Sequence, residues 1–146
     1  MTETTNLRLL DLLAAMAQEL VERLDADACA VSRAIGDLLI LVAERAPEGR
    51  TLARGQGYLV PDYPLTSAVL SSGRPHALTL TDDDVDLAEA SVLQEIGFGS
   101  LLMLSLPIGG TMWGLVEVYR LEPRPFEAGD VRLAGEILAR TSARAG

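Results

Sequence analysis

Apolar residues recur at intervals of three and four along the start of the chain: Leu9, Leu10, Leu12, Leu13, Met16, Ala17, Leu20, Val21 and Leu24. This spacing predicts an amphipathic helix over about Asn6–Asp25. Within it, Leu10, Leu13, Ala17, Leu20 and Leu24 follow a 3-4-3-4 rhythm that suits a helix–helix seam. The period then shortens. Ala28–Ile35 reads as a strand, Gly36-Asp37 as a tight turn, and Leu38–Ala43 as the hairpin partner. Ala46-Pro47-Glu48-Gly49 and Gly55-Gln56-Gly57 are backbone breaks, with a short strand expected at Thr51–Arg54 between them.

Pro64 has its φ preset for a first helical turn and Gly73 suits a left-handed cap, so Pro64–Ser72 is predicted as a short helix. Pro75 forbids its continuation. His76–Leu80 reads as a strand. Asp82-Asp83-Asp84 forms a turn that offers N-caps to a helix over about Val85–Ile96, which stops at Gly97. Ser100–Ile108 and Met112–Arg120 are strongly apolar strands joined by Gly109-Gly110. The first is apolar on both sides, with Leu102, Leu104 and Leu106 on one and Leu101 and Met103 on the other. A sheet covered on both faces explains that. Phe126–Ala143 is a closing helix with Leu133, Ala134, Ile137, Leu138 and Thr141 along one side. The order helix, hairpin, variable middle, hairpin, helix predicts an α+β domain on a central antiparallel sheet. No repeat, linker or low-complexity tract interrupts it.

Composition narrows the chemistry. A chain of 146 residues suits one domain with a full core. A net charge of −9 argues against nucleic acid and against anionic membrane surfaces. All twelve basic residues are Arg, which excludes a Schiff-base or Walker-type lysine. Cys29 is the sole cysteine, so there is no internal disulfide and no Cys-rich zinc site, and a reducing, cytoplasmic setting is expected. No apolar run nears the ~20 residues that span a bilayer.

The second half carries a resemblance. Leu93-Gln94-Glu95-Ile96-Gly97-Phe98-Gly99-Ser100, running on through Leu106-Pro107, resembles the GAF family. So does Gly109-Gly110-Thr111-Met112-Trp113-Gly114-Leu115-Val116-Glu117-Val118-Tyr119, followed by Phe126 and, four residues on, Asp130. The likeness covers about Leu7–Ala143 and looks like the GAF domains of bacterial histidine kinases and cyclic-di-nucleotide enzymes. PAS domains have a related architecture in a different element order and rank second.

The resemblance implies terminal helices packed on one sheet face, often pairing with a second subunit, and short helices roofing a pocket on the other. Members bind cyclic nucleotides, tetrapyrroles, haem or small metabolites, or nothing known. A tetrapyrrole thioether would need a cysteine in the pocket region, whereas Cys29 falls in the first strand. The cyclic-nucleotide subgroup carries Asn-Lys, then Phe, three residues and Asp-Glu. Here Phe126 and Asp130 match, Val131 replaces Glu, and lysine is lacking.

The resemblance makes Tyr58, Tyr63, Thr66, His76, Met103, Trp113, Glu117 and Tyr119 candidate pocket residues, with loop packing or core roles as the alternative for several. Glu117 shares a strand face with Trp113, Leu115 and Tyr119 if alternation holds, and Arg33 is one available ion-pair partner. His76 alone, the Asp82-Asp83-Asp84 turn and the scattered arginines Arg74, Arg120, Arg124, Arg132, Arg140 and Arg144 read as surface features. One histidine and one cysteine supply no catalytic set, so the chain is expected not to be an enzyme. A free methionine sulfoxide reductase activity, found in some GAF proteins, would need more than one cysteine. The expected function is a regulatory module that binds a small molecule or relays a signal, with a ligand-free dimerisation scaffold as the alternative. A homodimer through Leu10, Leu13, Ala17, Leu20, Leu24, Ile137 and Leu138 and a separate signalling output protein are the expected partners. No cofactor can be named.

Overall fold

The computed structural model describes residues 2–47 and 57–146, with side chains from residues 8 and 59 onward in those stretches. Among the described residues, six antiparallel strands form one sheet in the order β3-β2-β1-β6-β5-β4. They are β1 (Ala28–Ile35), β2 (Leu38–Arg45), β3 (Gly57–Leu59), β4 (His76–Thr79), β5 (Ser100–Ile108) and β6 (Thr111–Arg120). The helices are α1 (Thr2–Arg23), α2 (Pro64–Ser72), α3 (Leu87–Ile96) and α4 (Ala128–Ala145). A 3₁₀ turn, Val60–Asp62, leads into α2.

Local chemistry accounts for most boundaries. Gly73 and Gly97 end α2 and α3 in the left-handed conformation, with φ of 72° and 83°. Gly109 and Gly110 both hold positive φ, the requirement of a tight two-residue hairpin turn. The cap of α3 differs from expectation. Asp86 supplies it, accepting from the Glu89 N–H at 3.0 Å, while Asp82 closes the preceding turn by accepting from the Thr79 N–H at 2.8 Å. Gly57, expected as part of a break, opens β3 instead, paired with Ile40. The strand expected at 51–54 lies outside the described residues.

Both faces of the sheet are covered. On one, Leu13, Met16, Ala17, Leu20 and Leu24 of α1 and Ala134, Ile137 and Leu138 of α4 pack on Cys29, Val31, Leu102, Leu104, Leu106, Val116 and Val118. On the other, Val69 of α2 and Leu93 of α3 close over Ala28, Ala30, Leu101, Met103, Leu115 and Tyr119. The two-sided apolar pattern of β5 is thereby explained.

The seam expected between two copies is internal. Leu13, Ala17, Leu20, Leu24, Ile137 and Leu138 are 0–4% exposed within the single chain, and of this set only Leu10, at 42%, faces solvent. The 3-4-3-4 rhythm is used to seat α1 on the sheet, because burying each leucine contributes about 1.5–3 kcal/mol. Arg120 is also not a surface arginine. It is 3% exposed and anchored at the corner where α1, β6 and α4 meet.

Candidate functional site

The short-helix face holds an unusual set of polar side chains. Thr66 on α2 and Glu89 on α3 are fully buried, and Glu117 on β6 is 3% exposed. The Thr66 hydroxyl donates to Glu89 Oε1 and lies 3.6 Å from Met103 Sδ. Met103 pairs in register with Glu117 across β5 and β6. Tyr119, one step further along the same face, is buried with its ring 5.1 Å from Phe98. A hydroxyl, a thioether and two carboxylates thus meet in an apolar layer between the sheet and two short helices. Carboxylates in such a layer are costly unless hydrogen-bonded or paired.

This arrangement unites four expected pocket residues, Thr66, Met103, Glu117 and Tyr119. The others sit elsewhere. Tyr63 is half-buried at the junction between the 3₁₀ turn and α2, where its carbonyl accepts from the Ser67 N–H at 3.0 Å. His76 is exposed at the start of edge strand β4. Tyr58 pairs its backbone with Leu39, and its side chain lies outside the described residues.

Trp113 is on the opposite face. Leu106 faces Gly114 and Pro107 faces Met112, so Trp113 is the extra residue of a β-bulge, and alternation fails there. It packs against the long-helix core with the Arg33 guanidinium 5.3 Å from its ring centroid. Arg33 therefore partners Trp113 rather than Glu117. Gly114 follows from the same geometry, since a Cβ there would lie 2.1 Å from the Ser32 carbonyl oxygen.

Two buried charged residues, Glu89 and Arg120, were not expected from the sequence. Glu89 stands at helical spacing with Leu93 and Ile96, and a carboxylate on that apolar stripe was the available signal. Arg120 had a weaker one, its place at the end of a strand buried along its length. Its guanidinium donates to the Leu24 carbonyl at 2.6 Å and the Pro125 carbonyl at 2.8 Å, pairs with Asp130 at 3.5 Å and lies 4.0 Å from the Phe126 ring centroid. Asp130 also accepts from the Glu127 N–H at 2.9 Å, capping α4. Phe126 and Asp130 therefore serve the corner that joins both terminal helices to the sheet. Desolvation lowers the Arg120 pKa, and the nearby Arg124 charge adds to that.

Cys29 is fully buried on the long-helix face, where desolvation pushes its thiol pKa well up and the Glu117 charge reinforces the shift. Among the described residues, no group of three or more His, Cys, Asp and Glu side chains could hold a metal ion, and no helix is long and apolar enough to cross a membrane.

The sequence profile of the GAF domain family matches residues 8–145. The chain belongs to the GAF domain family. Comparison with curated proteins finds no match. Solved structures share the fold at low identity. The blue-light absorbing form of the Thermosynechococcus elongatus PixJ GAF domain superposes with a TM-score of 0.82 at 19% identity, over 97% of this chain and 87% of that one. The phycoerythrobilin-bound GAF domain of a cyanobacterial phytochrome gives 0.78 at 18%, over 94% and 84%. The chromophore-binding domain of an R. palustris bacteriophytochrome gives 0.78 at 13%, over 93% and 55%.

Proposed function

We propose that this GAF domain is a sensory module, not an enzyme, that holds a small molecule non-covalently on the α2–α3 face of its sheet. The state of that face passes through the sheet to α1 and α4, and from them to a second copy or a separate output protein. The observation that carries this reading is the buried set Thr66, Glu89, Met103 and Glu117 in an otherwise apolar layer. A few buried polar groups converging in an apolar layer under short helices are what ligand pockets use to orient a bound molecule. These side chains offer oxygen and sulfur acceptors. They suit a molecule carrying N–H or O–H groups, for which they would exchange their present partners.

The bilin of structural neighbours does not fit as a thioether adduct. Cys29 is the sole cysteine, it is wholly buried, and it lies on the face against α1 and α4. The signalling step requires a ligand that prefers one arrangement of the helices over the other.

Native mass spectrometry of protein purified from its source, followed by a thermal-shift screen of amines, nucleosides and polar metabolites, tests this reading. A compound should raise the melting temperature of the wild type and act weakly on Glu117→Gln and Thr66→Val. A protein that carries nothing and responds to no compound would instead favour a ligand-free relay scaffold. The filling of the same layer by Val69, Leu93, Phe98, Leu101 and Tyr119, all 0–2% exposed, supports that second reading.

A further inference from the structure

Beside α4, on the flank away from α1, an apolar groove of ≈ 480 Å³ runs between α4, β5 and the Gly73–Pro75 turn. Its lining includes both Leu104 and Ser105, neighbours whose side chains point to opposite faces, so it opens at the edge of the sheet. β4 stops short of it. His76, the first residue of β4, stands opposite Met103, whereas β5 continues to Ile108.

The direction of the main-chain groups follows from the far end of β4. Thr79 turns both of its groups away from β5, since its N–H donates to Asp82 Oδ2 and its carbonyl accepts from the Asp82 N–H. Leu78 and His76 therefore turn theirs toward β5, opposite Leu101 and Met103. Two residues further along β5, Ser105 turns its N–H and carbonyl to that same side, where no β4 residue stands. Pro107, the next on this side, has no N–H, and its carbonyl accepts from the Ser142 hydroxyl. One open donor and one open acceptor thus lie along an otherwise apolar groove, and main-chain groups in such a place call for a partner.

Positive charge marks both rims. Arg74 sits within the turn that forms one wall. On the other wall Arg132 stands three residues before Gly135 and seven before Ala139, on the same side of α4. Both arginines are exposed, and among the described residues neither has an ion-pair partner. Glu136 is set about 100° round the helix from Gly135, toward solvent. In a chain of net charge −9, this groove is framed by unpaired cations.

We propose that the groove binds a short extended segment of a partner protein, with apolar side chains at alternate positions and acidic residues at its ends. The segment pairs with Ser105 as an added strand in line with β4, and its carboxylates meet Arg74 and Arg132. A helix does not suit the groove, because its main-chain groups are already used and the Ser105 pair would stay unmet. The segment is short because Pro107 offers no N–H to extend the pairing. The α4 wall admits a backbone at Gly135, where a Cβ would meet nothing within 4 Å. This surface gives the relay reading a contact for its output protein, and it holds whether or not a ligand binds under α2 and α3.

A phage-displayed random heptapeptide library, selected on the full chain and counter-selected on Ala139→Arg, tests it. That variant fills the groove from an exposed position and should keep the circular dichroism spectrum and melting temperature of the wild type. Selected peptides should carry apolar residues at alternate positions with Asp or Glu flanking them. In fluorescence anisotropy at low salt, Arg74→Glu and Arg132→Glu should each weaken a selected peptide about threefold. N-methylation of the peptide should abolish binding at the residue opposite Ser105 and spare its two neighbours, a signature of strand pairing that a helical ligand lacks. A library that yields no peptide able to distinguish the wild type from Ala139→Arg overturns the proposal. So do selected peptides that bind as helices, tolerate N-methylation throughout or ignore both charge reversals. Small-molecule thermal shifts are scored separately, so loss of peptide binding and loss of ligand binding are distinguishable.

Discussion

The two faces of the sheet bury charge in different ways. On the long-helix face the buried ion is Arg120, whose donors point at main-chain carbonyls fixed by α1 and by the segment before α4. Its surroundings are two helices of 22 and 18 residues. On the short-helix face the buried acidic side chains are Glu89 and Glu117, and Glu89 is met by a side chain, Thr66, under helices of nine and ten residues. A guanidinium held by backbone is a rivet, because its partners cannot turn away. A carboxylate held by a hydroxyl on a short helix can exchange that partner when the helix shifts. The first arrangement suits a frame, the second a site that responds.

The largest expected effect tests the rivet. Arg120→Ala should destabilise the domain by about 3–5 kcal/mol in urea unfolding, since it leaves carbonyls and Asp130 without their cation, and Arg120→Lys should recover only part of that. A loss under 1 kcal/mol would remove the contrast between the faces. Next come paired cavities. Leu20→Ala under α1 and Leu93→Ala in α3 should each cost about 3 kcal/mol. Hydrogen exchange should distinguish them, with Leu93→Ala raising exchange mainly in α2 and α3 and Leu20→Ala raising it throughout.

Thr66→Val keeps shape and removes the donor to Glu89, so a loss of about 1–2 kcal/mol is expected. In a double-mutant cycle with Glu89→Leu the combined loss should fall below the sum of the two. Additivity would mean that the two helices are not coupled through this bond.

The smallest effect lies on the surface between α1 and α4. The Glu19 pKa is lowered, first by its hydrogen bond from Arg140; partial burial opposes this, and Arg23 adds to the lowering. A depressed folded-state pKa stabilises above the unfolded value, about 4.3, and that stability fades as pH falls through the folded value. Arg140→Ala should therefore cost only about 0.5 kcal/mol at pH 7 and less still near pH 3, read from denaturation midpoints. A cost that grows on acidification would contradict the assignment.

Much of the fold was legible because it is written in neighbouring residues. The helical period of Leu13, Met16, Ala17, Leu20 and Leu24, the glycines at positions 73, 97, 109 and 110, and the two-sided apolarity of β5 all act within a few residues of the structure they specify. The candidate site was half legible. Thr66, Met103, Glu117 and Tyr119 followed from strand alternation and family resemblance, whereas Glu89 looked like one more acid on a helix. Trp113 was assigned to the wrong face because a bulge depends on how β5 registers against β6. Local alternation carries no trace of that.

Periodicity and caps are short-range and decide which segments become helices and strands. Whether the α1 seam meets a partner or its own sheet, and whether Arg120 is a surface cation or a buried clamp, depends on groups about 95 residues apart along the chain, such as Leu24 and Arg120. Only folding brings those together, because burial energy and hydrogen-bond satisfaction are properties of the assembled layers rather than of any single segment.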